Sequence, residues 1–213
     1  MLKIAKREVE IINLAFHGIA QCIIHEWKSG TVSRMGNPEE QILKQMPIEH
    51  SNCFISVFRF RYGSPSGNID PAPGQKYKSG MEEEFLTAYR SWKVHKRPEI
   101  MVFKSIEPVP PVHLKDTSQK DLDSFFKEFS SDGQHPGLYK EYDSENSFRE
   151  VFLQSILFYV LKAIEEPSHL RNRWTALAEV DTKSNPGRRI SEDYAALRRI
   201  SSGVRPFFMS MRS

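Results

Sequence analysis

Between residues 5 and 20 apolar side chains recur at three- and four-residue intervals (Val9, Ile12, Phe16, Ile19), with Lys6, Arg7, Glu10 and Asn13 between them. That spacing predicts an amphipathic helix. Cys22-Ile-Ile-His-Glu-Trp27 follows as a short β-branched run closed by Lys28-Ser-Gly30, and predicts a strand. Asn37-Pro38-Glu39-Glu40 has the grammar of a helix start: a capping side chain, a proline with φ already set, and acids at the positive end of the dipole. Ile42, Leu43 and Met46 supply that helix's apolar face, and Cys53-Phe-Ile-Ser-Val-Phe58 is the next strand, apolar on both faces as in a central parallel position.

Residues 63–78 hold three Gly, three Pro and two Ser and few large apolar side chains, which predicts a functional loop or a mobile lid. Ser79-Gly-Met-Glu82 is a capping box, and Met81, Phe85, Ala88, Tyr89 and Trp92 continue a helix in which the two rings are expected in the core. Ile100-Met-Val-Phe103 predicts a buried strand, residues 118–129 a helix with Leu122, Phe125, Phe126 and Phe129 on one side, and residues 138–142 a short edge strand. A last helix over residues 147–165 places Phe148, Val151, Phe152, Ser155, Ile156, Tyr159 and Val160 together. Helix and strand thus alternate from a helical start, which argues for a mostly parallel α/β sheet with crossover helices on both faces. Doubly wound sheets of order 2-1-3-4-5 begin instead with a central strand. In that order the first strand is expected to be missing or replaced, its neighbours pairing directly or a partner lending a strand.

Composition narrows the class. Hydrophobic residues make up 39% of the 213, enough for one packed core, and exclude a disordered chain. The net charge of +3 is too small to argue for nucleic acid or anionic lipid. Residues 167–213, with nine basic and four acidic side chains, carry +5 and are expected to form a basic, partly helical or disordered tail beside an α/β domain over residues 1–166. Within the tail Arg188-Arg-Ile-Ser191 recurs as Arg198-Arg-Ile-Ser201, read first as a solvated face and second as kinase-recognised serines or a phosphate contact. Cys22 and Cys53 sit in apolar runs without C-x-x-C spacing and are expected as reduced core thiols. With no secretory h-region and no apolar run of about 20 residues, a cytoplasmic protein is expected, without membrane contact.

Ligands of open parallel sheets bind beyond the carboxyl ends of the strands. Two segments fall there: Arg61-Tyr62-Gly63-Ser64-Pro65, where Gly63 permits close backbone approach and Arg61 suits phosphate or carboxylate, and Ser79-Gly80-Met81-Glu82-Glu83-Glu84 at a helix start. Three glutamates in a first turn are accounted for by the helix dipole alone. The functional alternative is that one faces the cleft and stabilises, or attacks, an oxocarbenium-like sugar carbon as an N-glycosidic bond breaks. The seven histidines lack H-x-x-x-H or H-E-x-x-H spacing, so no metal site is expected, and His25, near a strand end, is read as packing or surface placement ahead of lining the cleft.

Arg61-Tyr-Gly-Ser-Pro-Ser-Gly67, Ser79-Gly-Met-Glu-Glu-Glu-Phe-Leu-Thr-Ala88, Arg97-Pro-Glu-Ile-Met-Val-Phe-Lys104 and Gly137-Leu-Tyr-Lys-Glu-Tyr-Asp143 together resemble the family called domain of unknown function 4062. The resemblance covers about residues 7–164. It implies a flavodoxin-like sheet similar to Toll/interleukin-1 receptor (TIR) domains and nucleoside 2-deoxyribosyltransferases, and a setting in prokaryotic defence or signalling. Matching G-[ST]-x-x-E places the N-glycosidic carboxylate on Glu84, with Glu83 and Glu82 behind it, and substrate binding on Arg61, Tyr62, Gly63, Ser64, Ser79 and Gly80. Two departures stand out. Met81 replaces a threonine, and the family's opening strand, F-[IV]-S-S-T, with its following E-R-E helix start, leaves only Lys6-Arg-Glu8. The resemblance implies no resident cofactor, NAD or a related nucleotide as substrate, and a homo-oligomer or a signalling protein as partner. The second reading is a non-catalytic interaction or self-assembly module of the same fold.

Overall fold

The computed structural model describes residues 1–26, 31–72, 74–111, 118–165 and 205–212. Its elements in chain order are α1 (Leu2–Ala15), β1 (Ala20–His25), α2 (Pro38–Gln45), a 3-10 turn (Ile48–His50), β2 (Cys53–Phe58), α3 (Gly80–His95), β3 (Glu99–Ser105), α4 (Ser118–Lys127), β4 (Lys140–Tyr142), α5 (Glu145–Glu165) and β5 (Arg205–Arg212). The five strands make one sheet of order β1-β5-β2-β3-β4, every pair parallel. The α/β class and the parallel sheet match the alternation read from the chain, and β4 is the expected edge strand.

At the centre of the sheet the missing position is filled, but by neither expected route. β1 and β2 neither pair directly nor leave a gap, because β5 lies between them: Ile24 and Cys53 both register with Met209, on its two sides. The strand comes from the stretch read as a basic tail, so the last described residues belong to the domain. It escaped the period argument because Arg-Pro-Phe-Phe-Met-Ser-Met-Arg opens and closes on arginines and holds no β-branched residue. Pairing with two parallel neighbours overrides that weak local preference, since six of its residues register with β1 and four with β2. Residues 166–204, including both Arg-Arg-Ile-Ser repeats, lie outside the described residues.

Two cores lie on opposite faces of the sheet. On one, α1 (Ala5, Val9, Ile12) and α5 (Phe148, Phe152, Ile156, Val160) cover Cys22, Cys53, Ile55, Val57, Met209 and Met211. Glu8, fully buried, accepts a 2.7 Å hydrogen bond from Arg149 Nε and ties the two helices together. On the other face α3 and α4 close over Phe54, Phe58 and Val102 with an aromatic cluster around Phe85 and Phe125. Tyr89 stacks on Phe85 at 6.0 Å and on Trp92 at 5.8 Å, both only partly buried, so these two rings edge the core rather than fill it.

Local corrections have local causes. Helix α1 starts at Leu2 and stops at Ala15, and the turn through Gly18 (φ 82°) leaves Ile19 half exposed before Ala20 enters β1. Cys22 and Cys53 are free and buried, as expected; burial pushes the Cys22 thiol up to about 12 and the Cys53 thiol well above its ordinary value.

Candidate functional site

The site is built where β2 ends and α3 begins. Ser79 caps α3: its Oγ accepts the Glu82 N–H at 3.0 Å, and Gly80 N–H donates to the Ser64 carbonyl at 3.1 Å, closing the loop onto the helix start. The return half of the capping box is displaced by one residue, because the Glu82 carboxylate accepts from Lys78 N–H rather than from Ser79. Gly63 has φ 101°, and a Cβ there would meet the Ser79 Cβ at 3.3 Å. The glycine is needed for both reasons.

Helical rotation sends the three glutamates three ways. Glu82 lines a cavity of about 600 Å³ between α3 and α4. Glu83 is buried and accepts from Asn68 Nδ2 at 2.8 Å, which ties down the loop. Glu84, 4% exposed, lines a second cavity of about 780 Å³ at the carboxyl edge of the sheet. Arg61, Tyr62, Gly63, Ser64 and Gly80 line that same cavity, whereas Ser79 stays behind it as a cap. Its volume falls in the range of sites for small organic ligands.

Other side chains reach the cavity without having been singled out. Helix α2 has no fully buried residue, so it stands off the sheet, and Pro38, Glu39 and Ile42 form the roof of the space beneath it. A Cβ on Gly80 would lie 2.6 Å from Glu39 Oε2, which places this carboxylate against the first residue of α3. Glu84 follows Gly80 by four residues and shares its helical face, so two carboxylates meet over one surface. In the sequence Glu39 reads as a dipole acid of its own helix, and no local signal reveals its second role. Arg59 joins from the end of β2, held by Glu107 at 2.8 Å.

The glycine- and proline-rich loop is not a free lid. Asn37 Nδ2 donates to the Ser66 carbonyl at 2.8 Å and to Asn68 Oδ1 at 3.1 Å. An antiparallel Ile69–Lys76 bridge joins two stretches of the loop, and Arg90 of α3 grips them through an ion pair with Asp70 and a 3.0 Å bond to the Tyr77 hydroxyl. Tyr62 stands between the two cavities, 2% exposed, with its ring 5.4 Å from Phe125 and its hydroxyl near Glu82. Burial raises its pKa, so it stays a neutral wall rather than an acid or base. His135, one of the seven histidines without metal-ligand spacing, is 5% exposed among Phe85, Phe125 and Phe129, at 4.8 to 5.1 Å between ring centres, and this burial lowers its pKa.

Among the described residues no cluster of three His, Cys, Asp or Glu side chains could hold a metal ion, and no helix is long and apolar enough to cross a membrane. No protein-family model, no curated protein and no solved structure matches the chain.

Proposed function

We propose that this is a TIR-like domain that cleaves the N-glycosidic bond of NAD or a related nucleotide, acting in the cytoplasm of a prokaryotic defence or signalling system, with Glu84 as the catalytic carboxylate. One observation carries the reading. A buried glutamate lines a ligand-sized cavity at the carboxyl edge of a parallel sheet, beside an arginine and two close-approach glycines.

The chemistry assigns distinct work to the side chains. In NAD the bond joins the ribose anomeric carbon to a cationic pyridinium, so the bonding electron pair leaves with neutral nicotinamide and no proton need be supplied. Glu84 stabilises or attacks the resulting oxocarbenium-like carbon, and water then adds there, losing its proton to a carboxylate. A neutral nucleoside base needs protonation as it leaves, and Glu39 is the acid in reach of the same surface. Arg61 and Arg59 suit the phosphates, and Gly63 and Gly80 let the substrate approach the backbone.

NAD consumption by the purified protein at high concentration tests this. Glu84→Gln should lower turnover at least a hundredfold with unchanged folding, while Glu39→Gln should spare NAD and impair a neutral nucleoside. Equal turnover in parent and Glu84→Gln removes Glu84 as the catalytic carboxylate, and none in a folded parent removes the enzyme reading.

A second reading, a self-assembly or docking module, is favoured by α5, which leaves Leu157 (36%), Phe158 (70%) and Leu161 (45%) on its solvent side. Phe158→Glu should then abolish a dimer seen by light scattering. A parent that is monomeric at all concentrations removes it.

A further inference from the structure

The cavity between α3 and α4 has a volume of about 600 Å³, enough for a small organic ligand, and the site at the sheet edge makes no use of it. Its walls are mostly apolar: the rings of Tyr62, Tyr77, Phe125 and His135, with Leu86 between them. The loop ahead of α3 closes one side, where Arg90 fixes it through Asp70 and Tyr77.

One wall atom lacks the partner that its chemistry requires. His135 is 5% exposed, and its Nε2 is buried without a hydrogen-bond partner. The ring also hydrogen-bonds the Phe125 backbone, and burial favours its neutral form. A neutral imidazole has one N–H and one acceptor nitrogen. With the N–H given to the Phe125 carbonyl from the other nitrogen, Nε2 is the acceptor, and a buried acceptor left unmet is costly. The ring also borders a crevice of about 130 Å³ beside Tyr89 and Trp92, which is too small for such a ligand.

Acceptors also prevail among the polar groups around the cavity. Glu82 and Glu128 each accept one backbone N–H, from Lys78 and from Gln134, and each carboxylate keeps further lone pairs. Arg90 is paired with Asp70, and Lys78 with Asp121 at 3.5 Å, so Lys76 is set against two carboxylates. An excess of acceptors selects a ligand that donates. The negative balance works against phosphate, and ring-lined walls favour a flat aromatic body.

We infer that the α3–α4 cavity is a second binding site, for an uncharged planar nitrogen heterocycle of the aminopurine class that donates an N–H to His135 Nε2. The site is independent of whether Glu84 is catalytic. Tyr62 lines both cavities, so an occupant here touches a residue that also walls the cavity of Glu84.

Calorimetric titration of the full-length protein with 9-methyladenine, 9-methylpurine and adenosine monophosphate tests the site. The first should bind with a Kd below about 1 mM. The second has the same shape without an N–H and should bind about tenfold more weakly. The monophosphate should bind no more tightly than 9-methyladenine. His135→Phe keeps a ring and removes Nε2, and should abolish the preference between the two methylated purines. In the parent, the nitrogen-15 signal of His135 Nε2 should shift on addition of 9-methyladenine, a readout that needs no variant and distinguishes this cavity from the one at the sheet edge. Absence of binding by the folded parent, equal binding of the two methylated purines, tighter binding of the monophosphate, or an unmoved Nε2 signal overturns the inference.

Discussion

A side chain's role in this protein is set by which way one turn of helix sends it. Glu82, Glu83 and Glu84 are chemically identical neighbours, yet one lines the α3–α4 cavity, one secures a loop through Asn68, and one lines the cavity at the carboxyl edge. Glycine positions are equally specific. A Cβ on Gly133 would lie 2.2 Å from the backbone oxygen of Glu128, an atom that cannot swing aside as the Glu39 side chain can at Gly80. Gly133→Ala should therefore cost about 3 kcal/mol in urea unfolding, and Gly80→Ala should cost less stability while moving Glu39 and changing turnover. Equal stability losses at the two positions would show that the turn at Gly133 adjusts freely.

At the level of elements, the loop over residues 63–78 shows how composition misleads. Gly and Pro signal irregular backbone, but mobility depends on tethers made later in the chain, here Arg90 and Glu83 on α3. The α3–α4 layer carries its own pH dependence through His135. Burial lowers the folded-state pKa of His135 below its unfolded value, so the unfolded chain takes up the proton first. Stability is thus full above the unfolded value, near 6.5, and declines as pH falls through it. Urea midpoints should drop between pH 7.5 and 5.5 in the parent, and His135→Gln should remove that part of the drop. A parallel decline in both proteins would assign the effect to other groups.

For the molecule as a whole, the decisive fact is that the middle of the sheet comes from the far end of the sequence. Met209 is fully buried and registers with both Ile24 and Cys53, so it is as central as Ile55. Met209→Ala should cost about 2–5 kcal/mol, the range for a large-to-small change in a packed core, and Ile55→Ala a similar amount. A loss under about 0.5 kcal/mol at Met209, measured by denaturant unfolding, would mean that residues 205–212 lie outside the core. The cavity lies next to this centre, since Val57 belongs to the strand that β5 flanks, Gly63 follows it, and Met1 precedes the helix that packs on β1.

Hydrophobic period and capping chemistry were sufficient for α2, β2, α3, β3 and α5, because a helix or strand buried on a fixed face must repeat its apolar residues at 3.6 or 2 positions. They placed Arg61, Tyr62, Gly63, Ser64, Gly80 and Glu84 at the carboxyl edge, since a parallel sheet with crossover helices leaves its loops nowhere else. Strand β5 was not legible. Its eight residues carry two arginines and a proline and acquire strand character only from two neighbours more than a hundred residues away in sequence. Glu39 was hidden for the same reason. An acid in a helix's first turn satisfies its own dipole, and only the stacking of α2 over α3 brings its carboxylate to the face that carries Glu84. Local sequence determined which segments are helices and strands, because those choices are settled within a turn or a pleat. Which strand stands in the middle, and which carboxylates share a cavity, was decided by long-range pairing and packing, whose free energy exists only once the whole sheet is assembled.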